Sequence, residues 1–174
     1  MKRIAVFGKP GSGKSTLSKK LSSVTGIELH ALDSIVYKKN GDRVDREIYD
    51  RAHEAILSQD SWVIDGFGPI DSFYHRLNKA DTLIYIDLPY AISYWLVTKR
   101  CLKGFLVHPE GWPDGSSVLK GTLEGYRVLK LCPSFWNDDF MDRLLEISSG
   151  KSLFVIRSVS ELNSFVEKMC LNQS

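Results

Sequence analysis

The chain has 174 residues, 43% hydrophobic and 25% charged, the profile of one globular domain that can bury a core without disulfide staples. A formal net charge of +2, from 23 Lys and Arg against 21 Asp and Glu, argues against a strongly basic nucleic-acid binder and against an acidic tail. The longest apolar run falls short of the roughly 20 residues of a membrane span, the first is too short for a signal peptide, and Cys101, Cys132 and Cys170 form no CxxC pair, so the sequence reads as a reduced, cytoplasmic α/β protein.

Short apolar runs alternate with longer helical patterns, as in βα units. Residues 4–7 read as a first strand and 14–24 as a helix, with Leu17 and Leu21 one turn apart and Gly26 as its stop. A second strand is expected over 27–32, with Asp33 at its end, then a polar loop over 38–43 and a helix over 45–57. Residues 62–65 form a short strand that ends in Asp65, and 72–78 a helix. The near-continuous apolar run 82–88 marks a strand buried on both faces. A helix follows over 91–102. Four glycines and two prolines then predict a loop over 104–121. Helices over 123–131 and 138–147, a strand over 153–156 and a helix to residue 169, opened by the capping-box spacing of Ser158 and Glu161, complete the chain. Five short strands with helices between them imply a three-layer α/β fold on a parallel sheet.

The strongest signal is Gly8-Lys9-Pro10-Gly11-Ser12-Gly13-Lys14-Ser15, which satisfies G-x-x-x-x-G-K-[ST] directly after a strand and at the opening of a helix. Its glycines let the backbone N–H groups from Gly8 to Thr16 curl around phosphate oxygens, and the helix N-terminus adds its positive dipole end. Lys14 is expected to reach the β- and γ-phosphates, and the Ser15 hydroxyl to ligate Mg²⁺. Asp65, at the end of a neighbouring strand, suits the same Mg²⁺ through water. Its plainer alternative is an aspartate that starts a turn. Asp33 is a candidate for acceptor binding or general-base work, with helix capping as the alternative. Asp87, before Leu88-Pro89, reads as structural.

Asp65-Gly66-Phe67-Gly68 spells D-x-x-G and Asn78-Lys79-Ala80-Asp81 spells N-K-x-D, which imitates a GTPase. The spacing defeats that reading. Nine residues separate Gly68 from Asn78, whereas a βαβ unit needs about 30, and the Asn78 string precedes a strand instead of following one.

Together these segments resemble the adenylate kinase group of P-loop kinases, and within it the small adenylate-kinase-related topology modulation proteins. The likeness spans nearly the whole chain: residues 4–15, the Trp62-Val63-Ile64-Asp65-Gly66-Phe67 segment, and residues 80–89. It implies a P-loop NTPase sheet of order 2-3-1-4-5, a single kinase domain over 1–174, an acceptor-binding segment at about 33–60 and a lid-like segment at about 103–135. By the same resemblance Arg100 begins the lid, and ATP is the donor. Two departures stand out. Gly68-Pro69 replaces the Pro-Arg that follows D-G-F in adenylate kinases, and Leu96 replaces their adenine-stacking arginine. The four-ligand zinc of some lids is not expected from Cys101, His108 and Cys132.

Phosphoryl transfer needs alignment and positive charge more than covalent help. Lys14, Arg100 and Arg127 are the cations assigned to it, with Arg143 a further possibility, because a guanidinium fork binds phosphate oxygens in pairs. Arg43, Arg46 and Arg51 could clamp an acceptor phosphate, although a charged helix face accounts for each. Trp112 is open to stacking or to packing on its own loop, and the other tryptophans are assigned to packing. The function expected is transfer from Mg-ATP to a small acceptor, read as a nucleoside monophosphate. The alternatives are a kinase of a non-nucleotide hydroxyl compound, with Asp33 as base, and a slow regulatory ATPase affecting DNA topology. A monomer or weak homodimer is expected, with no direct nucleic-acid binding.

Overall fold

The computed structural model describes residues 1–36, 44–104 and 118–171. The sheet consists of β1 (Arg3–Gly8), β2 (Leu29–Ala31), β3 (Trp62–Asp65), β4 (Thr82–Ile86) and β5 (Ser152–Ile156). All paired strands are parallel, in the order β2-β3-β1-β4-β5. The helices are α1 (Lys14–Thr25), α2 (Asp33–Val36), α3 (Arg46–Leu57), α4 (Ile70–Lys79), α5 (Tyr90–Gly104), α6 (Val118–Leu131), α7 (Asp138–Ile147) and α8 (Val159–Leu171), with a 3-10 turn at Cys132–Ser134.

Alternation along the strands splits the core in two. On β1, Ala5 and Phe7 point to one face and Ile4 and Val6 to the other. The first face packs against Tyr49, Ile56 and Leu57 of α3, Phe73 and Leu77 of α4, and Phe140 and Leu144 of α7. It is strongly aromatic: the Phe7 ring stacks on Tyr85 at 5.5 Å and meets Phe73 edge-on at 5.3 Å. The second face takes Leu17 and Leu21 of α1, Ile92 and Leu96 of α5, and Leu162 and Phe165 of α8. Burial of every residue of β4 explains why it reads as an apolar run.

Several boundaries differ from the sequence expectation. The second strand pairs over Leu29–Ala31 alone, because Leu32 turns inward (1% exposed) and Asp33 opens the short α2. The fourth helix begins two residues early, after Pro69, whose fixed φ suits a helix start. The predicted loop over 104–121 is shorter at both ends: α5 runs to Gly104 and α6 starts at Val118. Glycine inside α6 has a packing use at Gly125, where an added Cβ would sit 3.3 Å from Val97 Cγ1 of α5. The loop 38–43 with Arg43, and the lid residues His108 and Trp112, lie outside the described residues. Trp62 is fully buried, but Trp95 is 60% exposed, against the assignment to packing. At the start of α8, Ser158 Oγ accepts from Glu161 N at 3.1 Å, and Glu161 reaches back to Arg157 N at 2.7 Å, one residue beyond the Ser158 N–H of a standard capping box.

Candidate active site

Parallel pairing brings the ends of four strands to one edge. Val6 pairs with Asp65 across β1–β3, Ala31 with Asp65 across β2–β3, and Gly8 with Ile86 across β1–β4. Asp33, Asp65, the phosphate loop and Asp87 therefore share the C-terminal edge, the usual ligand edge of such sheets. Asp81, at the start of β4, sits at the other edge, out of reach of anything bound at the loop.

The loop is shaped by backbone that only glycine accepts readily. Gly8 has φ +144°, and a Cβ there would lie 2.3 Å from Ile86 O; Gly11 has φ +71°, and a Cβ there would lie 2.6 Å from Ser93 O. Gly13, also left-handed, caps α1. Lys14 Nζ donates to Lys9 O at 2.9 Å, so the ammonium folds back over the loop.

Lys14, Ser15, Asp33, Asp65 and Arg100 form one electrostatic group. Burial lowers the Lys14 pKa, and the Asp65 and Asp33 carboxylates oppose that shift. Burial raises the Asp65 pKa, and Lys14 together with the hydrogen-bonded Ser15 hydroxyl opposes it. Arg100 is lowered by burial and held up by Asp33. Asp33 is thus the link between the lysine of the loop and the arginine of α5.

Asp65 Oδ1 is buried without a hydrogen-bond partner, beside the Ser15 hydroxyl. One carboxylate oxygen and one hydroxyl next to a phosphate loop fit Mg²⁺, which takes few protein ligands and completes its shell with phosphate and water. Among the described residues no cluster of three or more His, Cys, Asp or Glu could hold a metal by itself.

Arg127 and Arg143 are not brought to this group. Arg127 is exposed, with Nη1 3.6 Å from Glu124 Oε2 on its own helix. Arg143 lies over the Tyr74 ring of α4 at 3.8 Å. Arg46 bonds Asp50 at 2.7 Å, and Arg51 bonds its own helix backbone at Glu47 O. The charged helix face thus accounts for both.

Two features had no signal in a motif. Arg76 is fully buried on α4 and donates to Gly66 O at 2.8 Å and Phe67 O at 3.2 Å, bracing the turn after Asp65 from beneath. Burial pulls its pKa down to about 10, with Tyr49 and Asp65 opposing. The sequence clue is its place on the apolar stripe of α4, one turn past Ser72 and Phe73. The other is an ion pair between Lys9 and Asp87.

No protein-family model matches the chain, and no curated protein matches it. Among solved structures it is similar to a shikimate kinase from Acinetobacter baumannii in complex with shikimate (TM-score 0.55, 16% identity, 97% of this chain and 90% of that one). It is also similar to a shikimate kinase from Bacteroides thetaiotaomicron (TM-score 0.53, 13% identity, 97% and 96%). At such identities the likeness is one of fold: a three-layer P-loop α/β fold with the 2-3-1-4-5 sheet. Neither match supports the narrower resemblance to topology modulation proteins.

Proposed function

We propose that the chain is an ATP- and Mg²⁺-dependent kinase that phosphorylates a hydroxyl group of a small acceptor. The observation that carries this reading is the exposed Asp33 carboxylate grouped with Lys14, Asp65 and Arg100 at the mouth of the phosphate loop. An alcohol must lose a proton as it attacks, and a carboxylate there can accept it. A nucleoside monophosphate needs no such base, and the arginine that would clamp its phosphate after D-G-F is absent. The fold similarity to a kinase solved with shikimate, a hydroxyl-bearing molecule, favours the same side.

The backbone from Gly8 to Thr16, with Lys9, Pro10, Gly11, Ser12 and Gly13 between, would hold the nucleotide phosphates. Lys14 would leave the Lys9 carbonyl for the β- and γ-phosphate oxygens. Ser15 and Asp65 would hold Mg²⁺, whose chemistry there would be added positive charge for phosphoryl transfer. Arg100 would meet charge that develops on the transferred group, while Asp33 orients the acceptor hydroxyl and takes its proton. Arg127 joins only in a closed form that brings α6 over the loop.

The test is Asp33→Asn, assayed as ADP release with small polyols and hydroxy acids against nucleoside monophosphates. Loss of a general base lowers kcat about 10²–10⁴-fold with a hydroxyl acceptor and much less with a phosphate acceptor. A hydroxyl-acceptor rate that survives Asp33→Asn within about threefold sinks the assignment.

A further inference from the structure

Lys9 is an unexpected place for a buried cation. It is the second residue of the phosphate loop and 3% exposed. Its ammonium bonds Asp87, just past the end of β4, and lies 4.6 Å from the centroid of the Tyr90 ring at the start of α5. The Tyr85 hydroxyl faces the same carboxylate. The Lys9 side chain is therefore matched on both sides, by a carboxylate and by an aromatic face, and is not available to a phosphate.

Its main chain does something different. Lys9 O accepts from Lys14 Nζ at 2.9 Å and from Ser12 N at 3.3 Å. The residue whose side chain is tied to β4 and α5 is thus the residue whose carbonyl holds the loop lysine. The loop touches the same elements twice more, with Gly8 against Ile86 O and Gly11 against Ser93 O and Val97. Helix α5 also carries Arg100, ten residues beyond Tyr90.

We infer that Lys9 and Asp87 are a positioning pair that ties the phosphate loop to the end of β4, beside the start of α5, fixing the loop for nucleotide and setting Lys14 relative to Arg100. The inference rests on the nucleotide-binding part of the reading above. A loop free to swing would still carry Lys14, but would not present its N–H groups to the phosphates at one spacing. The loss falls on nucleotide affinity first, and on kcat through Arg100 second.

Lys9→Met alone leaves Asp87 without its partner and can unfold the chain. The informative variant is Lys9→Met with Asp87→Asn, which removes both charges and leaves neither stranded. Lys9→Arg, which keeps the pair, serves as the conservative control. Binding is read with a fluorescent ATP analogue and Mg²⁺, next to the thermal midpoint of each protein. The pair predicts binding weakened about tenfold or more in the double variant, since a misplacement of about 1 Å is enough. It also predicts a thermal midpoint near that of the unaltered protein, and recovery in Lys9→Arg. Equal binding by the double variant and the unaltered protein overturns the pair alone. No binding by the unaltered protein overturns both the pair and the nucleotide reading. A lowered midpoint with unchanged affinity assigns Lys9 to stability and also overturns the inference.

Discussion

At the edge where the strands begin, Asp81 accepts from Lys2 N and Arg3 N at 2.9 Å each and from the Thr82 hydroxyl at 2.7 Å, while Lys151 Nζ donates to the carbonyls of Leu77 and Asn78 at 2.7 and 2.8 Å. At the edge where the strands end, Asp65 keeps a buried oxygen without a partner, and the Ser12 hydroxyl is buried and unpaired. Buried polar groups are nearly always paired in native proteins, so an unpaired carboxylate oxygen and hydroxyl at a phosphate loop need a reason. At the first edge, Asp81 and Lys151 spend their polar atoms on stability. The second holds them for something that binds, and the raised Asp65 pKa is the local sign of that strain.

The widest separation between the edges is expected at Lys14 and Asp65. Lys14→Ala and Asp65→Asn should each lower phosphoryl transfer by about 10²–10³-fold, the scale for removing one preorganised electrostatic contact. Asp65→Asn should also leave the thermal midpoint unchanged or raise it, because it removes a carboxylate that burial disfavours. A large loss of midpoint in Asp65→Asn would show that the two edges are alike.

Asp81→Ala should do the reverse. Three hydrogen bonds to a carboxylate are lost, so a urea titration should show stability down by about 2 kcal/mol with kcat unchanged. Burial alone would raise the Asp81 pKa, but the Thr82 hydroxyl and the Arg3 and Lys2 N–H groups outweigh it and hold the carboxyl below its ordinary value. That stability is present at neutral pH and is lost in acid, as pH falls through the lowered value.

A smaller effect comes from His53 on α3, which is 3% exposed and stacks on Tyr49 at 5.5 Å. Burial, then the Arg76 and His75 charges, pushes its pKa from 6.5 down to about 4, with Glu54 and Asp50 opposing. Between those values the unfolded chain binds the proton and the folded chain does not. Stability is therefore full above pH 6.5 and falls as pH drops toward 4, by on the order of 2 kcal/mol. His53→Gln should flatten the curve over that window, and an unchanged curve would assign the acid sensitivity elsewhere.

The phosphate loop and the buried central strands were legible because their signals are local: a spaced motif for one, unbroken apolar runs for the other. The strand-end aspartates followed once the sheet was taken as parallel. The Lys9–Asp87 pair was not legible, since its partners are 78 residues apart and no pattern links them. Arg76 was hidden in the same way, because its carbonyl partners lie nine and ten residues back, around a turn. The helical start of residues 118–121 was masked by Gly121 and the glycines before it, which composition assigns to a loop.

The most direct test of the central claim is the chemical nature of the product. Unaltered protein is incubated with Mg-ATP and an acceptor panel that pairs hydroxylated small molecules with nucleoside monophosphates, and the products are read by phosphorus NMR, with Lys14→Ala as blank. The account predicts a new phosphate monoester formed in step with ADP, and none in the blank. A new phosphoanhydride on a nucleoside monophosphate, or inorganic phosphate alone with every acceptor, would contradict it.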